Sequence, residues 1–448
     1  MKGRKILLVN PWIHDFAAYD LWAKPLGLLY LGALLRRNGC DVSYIDCLRT
    51  PHPLMQEKDP KTANQGHGKY YRQIIAKPDQ LKEIKRNYSR YGISIEAFLH
   101  DLLSVPGPDA VLVTSLMTYW YPGVFEAIAW IKEVFQGVPV ILGGLYASLC
   151  TGHAQRFSGA DYVIAGEGEL AVLALLEEIL GEEPSFIPDM SNLDTLDYPC
   201  FDLIDDLRYV CIQTSRGCPF DCTYCASGYL SPRLRRRDPI RVVEEIAWWK
   251  GLKGVRDFAF YDDALLNRSE SFALPIMRQI VKRGLDIRIH CPNGLHIRSI
   301  TQGVASSMKA CGFCSIRLGL ETSDPLRQGL SGGKVTNEDF LRCMDNLCSA
   351  GFSSGDIGVY ILCGLPGQCA QEVLDAVSLV KSTGARPMIT EYSPIPHTKD
   401  YEDALKMSRY NIADEPLYQN NSFLSCRWDG LTYEDYRQIK NAARAKPL

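Results

Sequence analysis

The sequence predicts an α/β protein in two halves: a Rossmann-like parallel sheet, then a partial (β/α)6 barrel, with a small helical element at the C-terminal end. Three features carry this. Short apolar runs alternate with stretches of helical periodicity along most of the chain, as in parallel strands joined by helices. Proline and acidic residues gather between Glu182 and Pro199, which reads as a linker. Beyond it, strand–helix units follow one another, and such a run curls into a barrel whose chemistry sits at the carboxyl ends of the strands.

In the first half, strands are expected at Lys5–Asn10, Asp41–Asp46, Ala110–Ser115, Pro139–Leu142 and Tyr162–Ala165. Helices are expected over Pro25–Arg37, Val124–Phe135 and Leu170–Leu180, and a polar insertion of helix and loops from about 50 to 101. In the second half the strand candidates are Tyr209–Gln213, Asp257–Tyr261, Ile287–Cys291, Ser315–Leu320, Asp356–Leu362 and Met388–Tyr392. Val242–Lys250, Ser271–Arg283, Glu338–Ser349 and Gln371–Ser382 read as helices between them. The implied domains are 1–185, a linker at 186–207, a barrel over 208–400 and a helical extension over 401–448.

At 448 residues, 46% hydrophobic and 23% charged, the composition is that of a globular protein. A net charge of −3 argues against a nucleic-acid partner. The basic run Arg233–Arg237 reads as a solvated face or as a contact for a phosphate or carboxylate. The apolar run Ile6–Val9 after Met1–Lys5 is too short for a signal-peptide core or a membrane span, so a cytoplasmic protein is expected. In that setting 16 cysteines mean metal, catalysis or packing rather than disulfides.

One cysteine cluster stands out. Directly after the first strand of the second half comes Ser215-Arg216-Gly217-Cys218-Pro219-Phe220-Asp221-Cys222-Thr223-Tyr224-Cys225. Three thiolates on one loop suit an iron–sulfur cluster with one iron left open. The other readings are zinc with a fourth ligand from elsewhere, and plain core cysteines. Cys311 and Cys314 form a second close pair, but no other loop supplies a matching pair, so packing is expected there.

The segment from Gly217 to Cys225, with Tyr224 before the third cysteine, resembles the signature of the radical S-adenosylmethionine superfamily. The resemblance implies a 4Fe-4S cluster on Cys218, Cys222 and Cys225, with S-adenosylmethionine chelated at the open iron. Reductive cleavage would then give methionine and a 5′-deoxyadenosyl radical, driven by an external low-potential donor such as flavodoxin or ferredoxin. Tyr224 is expected at the cofactor. Asp262 and Asp263 end the second strand and match groups that hold the methionine amine, with acid–base work or helix capping as the other readings. Asn293 sits where the family contacts ribose, or in a simple turn. Glu321 matches a recurrent site carboxylate, and Gly364 would let backbone approach the adenosine.

The first half resembles the cobalamin-binding domain that precedes the radical domain in a large subgroup, on Asn10-Pro11, Pro25–Leu31, Gly143–Ala147 and Gly166–Glu169. Gly143, Gly144 and Tyr146 are the expected cobalamin contacts. The Asp-x-His-x-x-Gly motif that carries a lower axial histidine in many cobalamin proteins is absent, as it is from many radical-domain relatives. The reading that follows is a cobalamin-dependent enzyme that methylates or otherwise modifies an unactivated carbon of a small molecule or peptide. The alternatives are an empty or repurposed first domain with rearrangement, cyclisation or sulfur chemistry, and a non-catalytic iron–sulfur sensing or binding protein. No residue is singled out as a hydrogen or proton donor.

Overall fold

The computed structural model describes every residue except 59, 61, 62, 64, 427–429 and 446–448. The corresponding parts of the expected insertion and C-terminal extension lie outside the described residues. The chain forms two compact units. One comprises 1–208 with 414–420, and the other comprises 209–413 with 421–448. The expected linker belongs to the first unit, and the C-terminal stretch is divided between the two.

In the first unit the parallel strands are β1 (Lys5–Asn10), β2 (Asp41–Asp46), β3 (Ala110–Val113), β4 (Val140–Leu142) and β5 (Tyr162–Val163). Their order is β2-β1-β3-β4-β5, so the chain reverses direction across the sheet at β1 and β3. That reversal opens a crevice at the carboxyl ends, where sheets of this kind bind ligands. Leu7, Val9, Val111, Val113, Val140 and Leu142 are buried with Trp12, Phe98, Ala127 and Ile131 in one apolar cluster. Strands buried on both faces explain why they read as unbroken apolar runs rather than alternating ones.

The insertion contains the helix Ile95–Ser104, capped by Ser94, whose side chain accepts from Ala97 N–H. It also contains two strands that the sequence did not signal. Arg72–Ile74 and Ser89–Tyr91 pair antiparallel, and the latter also pairs with Ile13–Asp15. Three-residue strands are too short to show a period-two pattern.

The second unit carries β6 (Tyr209–Ile212), β7 (Asp257–Phe260), β8 (Arg288–His290), β9 (Phe313–Ser315), β10 (Arg317–Glu321), β11 (Gly358–Cys363) and β12 (Arg386–Glu391). They form two parallel sheets ordered β9-β8-β7-β6 and β10-β11-β12, in each of which sequence neighbours pair. The fourth expected strand is thus split at Ile316, and a bridge between Leu295 and Leu318 carries the curve past the split. Helices Pro239–Lys253, Ala273–Lys282, Gln302–Ala310, Asn337–Ser349 and Ala370–Ser382 alternate with the strands, giving the partial (β/α)6 barrel. After β12 come the helices Lys399–Met407 and Tyr433–Arg444. Among the described residues no helix is long and apolar enough to cross a membrane.

Candidate active site

The cysteine loop leaves the carboxyl end of β6, turns, and returns as a short antiparallel ladder of Ser215–Arg216 against Arg235–Arg236. Gly217 makes the turn possible. Its φ is +87°, and a Cβ there would lie 2.7 Å from the Arg233 carbonyl oxygen and 2.8 Å from that of Ser231. Only glycine accepts both constraints. The loop then brings the three thiols close enough to feel one another electrostatically. Burial, with Asp263 and the other two sulfurs adding to it, pushes the Cys218 thiol up to about 11. Burial also raises Cys222, although Lys334 opposes it. Metal coordination would reverse this, since a ligating thiol is deprotonated outright. Ser227 lies under Cys225, its N–H donating to Sγ at 3.5 Å and its hydroxyl 3.3 Å from the same sulfur.

Among the described residues, no group of three His, Cys, Asp or Glu side chains stands at the separation that one metal ion needs. Three thiolates on one loop are the donor type that holds an iron–sulfur cluster, and they would leave one of its irons open. Tyr224 supports the fit. Its hydroxyl is buried without a well-formed hydrogen bond, near both Glu321 and the Cys222 sulfur.

The two aspartates after β7 have different surroundings. Asp262 is buried and turned inward. Its Oδ1 accepts from Thr214 Oγ1 at 2.7 Å and Ser215 Oγ at 2.6 Å, and Thr214 N–H donates to both carboxylate oxygens at 3.1 Å. It therefore ties the root of the cysteine loop to β7 through hydrogen bonds made inside the fold. Asp263 faces Cys218 and Ser227, and its pKa is raised by burial against the opposing Ser227 hydrogen bond. Of the pair, Asp263 is the one beside the thiols.

Asn293 and Glu321, at two other strand ends, lie close to these groups. Asn293 is exposed and its Nδ2 donates to the Tyr261 carbonyl at 3.2 Å, next to the aspartate turn. Glu321, at the end of β10, adopts φ +67°, a left-handed conformation that costs a non-glycine residue about 1–3 kcal/mol. Its Oε1 lies 3.0 Å from Lys334 Nζ. Gly364, at φ +97°, is held by its N–H to Gln368 Oε1 at 2.8 Å, and a Cβ there would meet Leu424 at 3.5 Å.

Sequence reasoning missed Thr214, Ser215, Ser227 and Lys334. Lys334 follows Gly332-Gly333, and Gly332 packs so closely that a Cβ would lie 3.1 Å from the Asp221 carbonyl oxygen. That glycine pair was the available signal. Phe220 stacks on His296 at 4.2 Å between centroids, and burial, with Lys334 nearby, lowers His296 to about 4. The arginine run is largely committed to structure: Arg237 pairs with buried Glu245, and Arg236 donates to Asn267. Cys311 is buried and Cys314 exposed, and both are free thiols.

In the first unit, the carboxyl ends of β3 and β4 leave a partly open surface. A Cβ on Gly143 would meet only the Ile164 carbonyl oxygen at 3.9 Å, while Met117 and Leu145 stand exposed nearby in sequence. The uncovered backbone at Gly143 would allow the close approach of a flat cofactor such as a corrin. Gly144 is different, because its φ is +92° and a Cβ would lie 2.3 Å from the Ser115 carbonyl oxygen. Its glycine character serves the packing of the β3 loop. Tyr146 is fully buried, with its hydroxyl 2.6 Å from His153 Nδ1, so it is part of the core.

Residues 212–380 match the radical SAM superfamily model. An uncharacterized methyltransferase of Pyrococcus horikoshii is 26% identical over 358 residues, covering 73% of each chain. The structure of the radical S-adenosylmethionine methyltransferase TsrM from Kitasatospora setae, with tryptophan and an S-adenosylmethionine analog bound, superposes with a TM-score of 0.67 at 18% identity. It covers 91% of this chain and 78% of that one. OxsB, a cobalamin-dependent S-adenosylmethionine radical enzyme, gives a TM-score of 0.60 at 14% identity over 99% of this chain and 57% of its own. Residues 212–380 thus resemble the radical SAM superfamily, the chain is similar in sequence to a methyltransferase, and it shares the fold of TsrM and OxsB.

Proposed function

We propose that the protein is a cobalamin-dependent radical SAM methylase acting on an unactivated carbon of a small molecule or peptide. The observation that carries the reading is the loop after β6, where Cys218, Cys222 and Cys225 stand together with Asp263 and the Lys334–Glu321 pair around them. The three thiolates hold the 4Fe-4S cluster and leave one iron for S-adenosylmethionine. When bound, the cluster supplies the electron that cleaves the carbon–sulfur bond of S-adenosylmethionine, and cobalamin supplies the methyl carrier. Asp263 accepts hydrogen bonds from the methionine amine, Asn293 and the Gly364 turn bound the nucleoside, and Glu321 completes the wall. Gly143, Met117 and Leu145 support the corrin reading in the first unit. TsrM has been solved with cobalamin and a [4Fe-4S] cluster bound, which supports both assignments. A low-potential flavodoxin or ferredoxin delivers the electron.

The test is anaerobic purification from cobalamin-fed cells, with iron, sulfide and cobalt quantified on one sample. About four irons and near-stoichiometric cobalt agree with the proposal. Iron without cobalt would overturn the cobalamin part and move the search to rearrangement, cyclisation or sulfur chemistry.

A further inference from the structure

Lys334 lies outside the cysteine motif, yet packing places it beside that motif. Its ammonium is 3.0 Å from Glu321 Oε1 and 5.4 Å from the centroid of the Tyr224 ring, the residue between Cys222 and Cys225. Both partners are shielded, with side-chain exposures of 16% for Lys334 and 13% for Glu321. Two glycines make the placement possible. A Cβ on Gly319 would lie 2.7 Å from Glu321 Oε1 and 3.4 Å from Lys334 Nζ, and one on Gly332 would lie 3.5 Å from Cys222 Cα.

A shielded ion pair of this kind contributes little net stability, because desolvation of the two charges offsets their attraction. Its field acts strongly at short range where water is excluded. Any group held by Cys222 and Cys225 sits in that field. Adding an electron to an iron–sulfur cluster adds negative charge, which a nearby cation favours and a nearby carboxylate opposes. Cluster potentials respond to net charge and solvent exposure in this way.

We infer that Lys334 and Glu321 form a charge pair that sets the reduction potential of the cluster on Cys218, Cys222 and Cys225, Lys334 raising it and Glu321 restraining it. The inference rests on the iron–sulfur reading above. The Glu321 carboxylate, 3.0 Å from the Lys334 ammonium, favours its charged form.

The experiment is an EPR-monitored redox titration of the full chain, reconstituted anaerobically without S-adenosylmethionine, with iron and sulfide counted on each sample. Lys334→Met should lower the midpoint, so that at the wild-type midpoint the ratio of reduced to oxidised cluster falls about tenfold, equivalent to about 59 mV for one electron. Glu321→Gln should raise it, and Lys334→Arg should leave it near wild type. Opposite signs for the two neutralising variants are not expected from a merely structural role. Equal midpoints at full iron content overturn the inference while leaving the cluster assignment intact, whereas a wild-type chain that binds no cluster overturns the assignment itself. If the Met variant loses its iron, Glu321→Gln decides: a raised midpoint supports the pair, and an unchanged or lowered one overturns it.

Discussion

Asp262 Oδ1 accepts a hydrogen bond from Thr214 Oγ1 at 2.7 Å, joining the end of β7 to the root of the cysteine loop. With the Ser215 hydroxyl and the Thr214 N–H added, the carboxylate is surrounded by donors in a site closed to water. Asp262→Asn turns one acceptor into a donor facing those donors. The expected cost is about 2–4 kcal/mol, and a thermal melt should shift down by about 5–15 °C. Asp263→Asn should leave the melt within a few degrees of wild type while reducing S-adenosylmethionine binding, measured by equilibrium dialysis. A large shift from the second variant and none from the first would contradict the division of roles.

Gly217→Ala tests the turn. The new methyl would press on the carbonyl oxygens of Arg233 and Ser231 from a left-handed backbone. A destabilisation of about 2–4 kcal/mol is expected, with lower iron content after reconstitution. Gly228→Ala, whose Cβ would meet nothing within 4 Å, is the control and should retain wild-type iron.

Cys222→Ala should abolish the cluster and with it the cleavage of S-adenosylmethionine. Iron and sulfide analysis with the visible absorption spectrum checks this, and retained iron with retained cleavage would refute the ligand assignment. Cys314→Ala, by contrast, should keep both.

The first unit should lose stability in mild acid through His153. Burial lowers its pKa to about 4 from an unfolded value near 6.5, and Arg156 lowers it further. The ring is packed by Tyr121, Phe125, Tyr146 and Phe157. A depressed histidine keeps the fold favoured above the unfolded pKa, and that contribution is lost as pH falls from about 6.5 through about 4. Urea midpoints at pH 7 and pH 5 should differ in the wild type. His153→Phe should narrow the difference, and an unchanged difference would show that other groups carry it.

The α/β class, the parallel strands of both units and the three thiols were legible along the chain. Each of these is a local pattern: apolar runs of strand length, helical periodicity, and cysteines close together on one glycine-containing loop. Asp262 and Asp263 were visible as a pair, but nothing in their sequence told them apart. Tertiary structure separated them, because adjacent residues leave a strand in different directions and only Asp262 turns toward the donors of Thr214 and Ser215. Gly144 and Tyr146 were likewise visible as types, while their contacts with Ser115 and His153 come from other loops and helices. The pairing of Lys334 with Glu321 was beyond local reading, since it depends on how the Gly332-Gly333 turn packs against the cysteine loop. Spacing along the chain encodes ligands that share one loop, whereas charges that meet across loops are decided only when the barrel closes around them.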